Sequence, residues 1–186
     1  MLSPHIRLAL REVVAGIEDK AQTHGWDAPP VLLALFHRQL AEDLPVHLID
    51  VAAMPFTLNL DPAPSSGIAG VLNLLVDFVT MPEAASPIKD WLHSGERTFV
   101  GIGLVFEGFQ YIPYPGYVHG DINREPAKAT AEVRLVCAVD TDGRYYQVDR
   151  IRGEDRRRAT IHDRVAPELG AVPHALSRLV TAVRNL

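Results

Sequence analysis

Residues 131–151 read AEVRLVCAVDTDGRYYQVDRI. Ala131, Val133, Leu135, Cys137 and Val139 alternate with Glu132, Arg134 and Asp140, a period of two that belongs to a strand with one apolar face. A second run, YYQVDRI, follows after Asp142-Gly143, a dipeptide that supplies the positive backbone torsions of a tight turn. The stretch therefore predicts an antiparallel hairpin over 129–152. With Asp142 and Gly143 as a two-residue loop, Val139 faces Tyr146, Cys137 faces Val148 and Leu135 faces Arg150. A slip of one would place Gln147 and Asp149 on the apolar face, so the first register is expected. Arg150 then either snorkels off the sheet edge or pairs with a carboxylate.

Upstream, RTFVGIGLVFEGFQYI (97–112) extends the sheet, with Val100, Ile102, Leu104 and Phe106 on one face. VLLALFH after Pro29 and Pro30 reads as a buried strand, although LFHRQLAEDL also admits a helix; PVHLIDVAAMPF is ambiguous. Helical spacing surrounds these strands. Ile6, Leu10, Val13, Val14, Ile17 and Ala21 recur at three and four, with Arg7, Arg11, Glu12, Glu18 and Asp19 mostly on other faces. Ser3 fits the N-cap, Pro4 the first turn and Gly25 the stop. GIAGVLNLLVDFVT (67–80) predicts a helix, Ser86-Pro87 opens a short one through IKDWLHS, and the segment after Pro173 predicts a terminal one. DPAPSS (61–66) is too short to divide domains. The expectation is one α+β domain over 1–186, a two-layer arrangement of a mainly antiparallel sheet covered by N-terminal, central and C-terminal helices.

The 186 residues, 47 % hydrophobic and 22 % charged, suffice for an ordinary core. A net charge of -5 argues against general nucleic-acid binding. One cysteine, Cys137, excludes an internal disulfide framework and a thiolate zinc cluster, and points to a reducing cytoplasm. The most apolar run, GIAGVLNLLV, meets Asp77 well short of the roughly 20 residues a membrane span needs, so no membrane association is expected.

GWDAPPVLLALF (25–36), followed far downstream by AEVRLVCAVDTDGRYYQVDRIRG and an apolar terminal helix, resembles an actinobacterial family of small cytoplasmic α+β proteins with a Gly-Trp-Asp-x-Pro-Pro start and a long later hairpin. The resemblance implies the fold and the compartment. It carries no activity, cofactor or site residue.

The residues that could carry function lie in GFQYIPYPGYVHGDINREP (108–126). Tyr111, Tyr114 and Tyr117 are three apart, and on a proline-stiffened extended segment they can share a side, offering large apolar area at little entropic cost. The competing reading has the rings capping the sheet. His119 and Asp121 could hold a metal or exchange a proton; the alternative is that Asp121 and Asn123 serve the turn. Arg156, Arg157 and Arg158 suit a phosphate or acidic partner, or a solvated loop. Gly101 and Gly103 share a strand face, which fits a closely packed helix or the floor of a ligand cleft with Glu107 as its carboxylate. Cys137 reads as a small core residue. The remaining histidines stand singly.

No catalytic constellation, cofactor motif or metal site is expected. The leading expectation is a noncatalytic interaction module that binds a protein partner or self-associates through the 108–126 loop or a sheet edge. The alternative is a small-molecule-binding protein or metal-assisted hydrolase using His119, Asp121 and Glu107.

Overall fold

The computed structural model of the chain describes residues 1–41, 44–55, 58, 67–112 and 129–186. In order these form α1 (Pro4–His24), β1 (Val31–Ala41), β2 (Leu44–Ala53), α2 (Gly67–Val79), α3 (Pro82–Leu92), β3 (Thr98–Ile112), β4 (Ala129–Asp140), β5 (Tyr145–Ile151), β6 (Arg157–His162), a 3-10 turn (Pro167–Leu169) and α4 (Ala171–Arg184). The strands make one antiparallel six-stranded sheet in the order β2-β1-β3-β4-β5-β6. The expected α+β class holds. Among the described residues no single helix is long and apolar enough to cross a membrane.

The helices divide between the two faces, so α1 adds a layer of its own. On one face α2, α3 and α4 enclose the larger core, where Leu72, Leu176 and Leu179 meet Ile102, Leu104 and Val139. Trp91 of α3 packs edge-on against Phe36 of β1 at 5.4 Å. On the other face α1 brings Leu10 and Val14 onto Val100, Val136, Ala138, Tyr146 and Val148. Each such aliphatic side chain, fully buried, contributes about 1.5–3 kcal/mol. The N-cap of α1 is the expected one: Ile6 N–H donates to Ser3 Oγ at 3.3 Å.

The β4–β5 hairpin forms, but in the register that the sequence reading set aside. Val139 pairs with Tyr145, Cys137 with Gln147 and Leu135 with Asp149. The loop is Thr141–Gly143: Asp140 N–H donates to Arg144 O at 3.0 Å, and Gly143 N–H to Asp140 O at 2.9 Å. Gly143, at φ 85°, takes the left-handed position that closes a three-residue loop. The alternation argument failed because both sheet faces are covered, so that Tyr145 and Tyr146 are both buried on opposite sides. Gln147 and Asp149 do share the face of Cys137 and are satisfied there. The Tyr145 hydroxyl donates to Gln147 Oε1 at 2.9 Å, and Arg158 Nε donates to Asp149 at 2.9 Å. The same hydroxyl lies 3.1 Å from Cys137 Sγ. Burial pushes the Cys137 thiol up to about 11, in keeping with a core residue.

Three further expectations are corrected. α3 opens at Pro82 with Met81 at its N-cap, and Pro87 lies inside it, which forgoes one backbone hydrogen bond in a short helix. Val100 leaves the face of Ile102 and Leu104 because a bulge interrupts the β1–β3 pairing between Leu35 and Phe36. The charged run after Gly153 contains β6, an edge strand whose exposed side chains lack an apolar period.

Asp140 holds the hairpin turn. Its Oδ1 accepts from the Asp142 and Arg144 N–H groups at 2.9 and 3.0 Å, and its Oδ2 from the Tyr146 hydroxyl at 2.9 Å. Burial nevertheless lifts its carboxyl above the ordinary 3.8, the hydrogen bonds offsetting part of the rise. A carboxyl that binds its proton more tightly when folded contributes most stability below the unfolded value and loses that contribution as pH rises through the folded one. Wild type should therefore lose stability relative to Asp140→Asn as pH climbs from 3.8 through the raised value. Urea denaturation of both proteins across that range reads the difference, and a gain for wild type with rising pH would contradict it.

Candidate functional site

The apolar stripe of α1 continues past Leu10 and Val14 to Glu18, which is fully buried. Glu18 is not on the solvent side, as the sequence reading had it. Arg150 answers it with a two-pronged bond, Nε to Oε1 at 2.8 Å and Nη2 to Oε2 at 2.6 Å. The carboxylate alternative for Arg150 is thus the one realised. Arg134, directly opposite Arg150 on β4, lies 3.7 Å from the same carboxylate.

Arg134 is caged on every side. Its Nε donates to Glu107 Oε1 and its Nη1 to Gln22 Oε1, both at 3.0 Å, while Nη2 donates to the Gly25 carbonyl. The Trp26 ring lies under its guanidinium at 4.3 Å. Asp27 N–H donates to Glu107 Oε2 at 2.6 Å, and Arg152 bonds Asp27 at 2.9 Å and Glu132 at 2.7 Å. Gly25-Trp26-Asp27 is therefore a clasp that ties the end of α1 to β3, β4 and the end of β5. Asp27, Glu107 and Glu132 place one carboxylate oxygen each within 4.8 Å of the others. Arg134 pairs with Glu107 of that group, and Arg152 with Asp27 and Glu132.

Beside this charged lock the described residues leave part of the sheet uncovered. α1 covers part of its face, and between α1 and β1–β3 runs a cleft of about 850 Å³. Val13, Gly16 and Ile17 form the helical wall, Leu33, Val51 and Val105 the floor, and Glu107 with Arg134 the closed end. Val31 of β1 and Val51 of β2 are 40 % and 41 % exposed, whereas the other face of β1 buries Leu32, Ala34 and Phe36 at 3 % or less. Gly16 keeps the helical wall bare, since a Cβ built there meets no atom within 4 Å. Lys20 stands exposed on the lip.

Of the residues singled out from sequence, Tyr111 lies at the end of β3, paired with Thr130. Tyr114, Tyr117, His119 and Asp121 lie outside the described residues. Arg156 is exposed. Arg157 pairs with Asp19 and donates to Ala15 O at 2.6 Å, and Arg158 serves Asp149. Two of the three guanidinium groups are thus committed within the chain. Gly101 makes a close approach to the β4 backbone, not to a helix, while Glu107 does line a cleft.

Two features escaped the sequence reading. Glu18 was legible as the next i+4 position after Leu10 and Val14, facing cross-strand arginines. The β1–β2 hairpin brings His37 and His47 within 2.8 Å, although they read as isolated residues. No protein-family model, curated protein or solved structure matches this chain.

Proposed function

We propose that the protein is a noncatalytic interaction module whose receptor surface is the cleft between α1 and β1–β3, and that its occupant is an amphipathic helix of a partner protein. The observation that carries this reading is the unequal cover of the sheet. Among the described residues three helices lie over one face and α1 alone over part of the other. A helix is roughly 10–12 Å across with its side chains, and laid beside α1 it would cover Val31, Leu33 and Val51. Phe109, 77 % exposed, follows Val105 and Glu107 on the same side of β3. The acids and bases at the closed end are occupied with one another, which leaves apolar contact as the chief offering of the cleft.

A photo-crosslinking benzoylphenylalanine at Val51, introduced in the producing cell, tests the proposal. A discrete polypeptide adduct is expected, and it should disappear when Gly16→Trp fills the cleft. No polypeptide adduct, or one indifferent to Gly16→Trp, would overturn it. A second reading takes a small apolar molecule with an acidic head as occupant. The cleft volume falls within the roughly 300–1,000 Å³ of ligand pockets, and Lys20 would face the head group. Native mass spectrometry separates the two by the mass of what is carried.

A further inference from the structure

The β1–β2 register places His37 opposite Ile49 and His47 opposite Gln39, so the two histidines are diagonal neighbours on one sheet face. Their rings, 5.0 Å apart between centroids, aim His37 Nε2 at His47 Nδ1 across 2.8 Å. His5 of α1 lies nearly parallel to the His47 ring, with 5.7 Å between centroids and 13° between planes. This arrangement stands at the α1 N-terminal end of the face that bears the cleft, and the Glu18 lock stands at the other.

We infer that His37 and His47 form a two-imidazole site for a borderline divalent transition ion such as Cu²⁺, Ni²⁺ or Zn²⁺. Imidazole nitrogen suits these ions and not Ca²⁺ or Mg²⁺. Metal–imidazole bonds of about 2.0–2.1 Å in tetrahedral geometry set the two nitrogens about 3.3 Å apart. The rings would have to part by about half an ångström from their present 2.8 Å and turn so that both nitrogens face the ion. In the hydrogen-bonded pair one nitrogen holds a proton and the other offers its lone pair to it. The ion takes the place of that proton, which moves to the second nitrogen of the same ring, so both imidazoles bind neutral and no net proton is released. The remaining coordination positions fall to water.

The experiment uses the full chain with any affinity tag removed. Cu²⁺ titration followed by calorimetry and by electron paramagnetic resonance is expected to show one equivalent bound with nitrogen coupling from two imidazoles. Zn²⁺ should raise the unfolding temperature. His37→Ala and His47→Ala should each weaken binding at least tenfold and abolish the thermal shift, whereas His162→Ala on β6 should change neither. Should an alanine variant fail to fold, His37→Gln or His47→Gln takes its place with the same expectation. No stoichiometric binding to wild type, or binding that survives both single substitutions, would overturn the inference.

Discussion

Glu18→Gln should lower the free energy of unfolding by about 3–5 kcal/mol, the range for breaking a buried ion pair from one side. Glu18 is 0 % exposed, with Arg134 at 1 % and Arg150 at 7 %. Glutamine keeps the shape but removes the charge and turns an amide donor toward guanidinium donors. Arg150 would retain only Asp19 at 3.5 Å and the Asp155 carbonyl at 2.5 Å, while Arg134 would still hold Glu107. The cost is that of a desolvated cation left without its acid, not the net worth of the pair. Glu18→Met combined with Arg150→Met should accordingly recover at least half of the loss, because it removes both charges and fills the space. Urea denaturation of the single and double variants measures both quantities. A single-variant loss below about 1 kcal/mol, the worth of an exposed pair, would show that the lock is not what joins α1 to the sheet.

Gly101→Ala should be the second costly change, at about 1–3 kcal/mol. A Cβ at Gly101 would stand 2.5 Å from the Val139 carbonyl oxygen and 3.0 Å from Asp140 Cα, both backbone atoms of the adjoining strand. No flexible side chain can yield there. The bulge in β3 presses this position against β4 just ahead of the hairpin turn that Asp140 organises. Gly103, two residues along the same face, is the control: its Cβ would meet Cys137 O and Leu33 Cβ at an ordinary 3.7 Å. Gly103→Ala should be close to neutral, since the relief of unfolded-chain entropy offsets small adjustments. Thermal unfolding of the two variants side by side reads the contrast, and equal effects would refute the account of the bulge.

The outcome for individual elements shows where sequence patterns carry information. α1, α2, α4 and the strands β3 and β4 were legible because each repeats its apolar period within its own length, and β5 because Asp142-Gly143 marks the turn ahead of it. The helical alternative for LFHRQLAEDL gave way to β1, since pairing on both sides with β2 and β3 outweighs a short local pattern. β6 was hidden because an edge strand need not alternate. The candidate site was legible only in fragments. Glu107 stands in the sequence only as the carboxylate of one of two alternatives, a cleft floored by Gly101 and Gly103; the observed cleft is walled instead by α1, β1, β2 and β3, which no local pattern assembles.

The sequence by itself determined the α+β class, the bounds of α1, the presence of the β4–β5 hairpin and the core placement of Cys137, because each is written within single elements or within two joined by a short turn. Tertiary structure alone decided the hairpin register, the burial of Glu18, the open cleft and the meeting of His37 with His47. Covering both faces of the sheet removed the polar side against which a register would be judged. Glu18 and Arg150 are 132 positions apart, and only packing α1 across the strands makes them partners. Once that pair is buried, the position of α1 is held, and with it the strip of β1–β3 that the helix leaves bare.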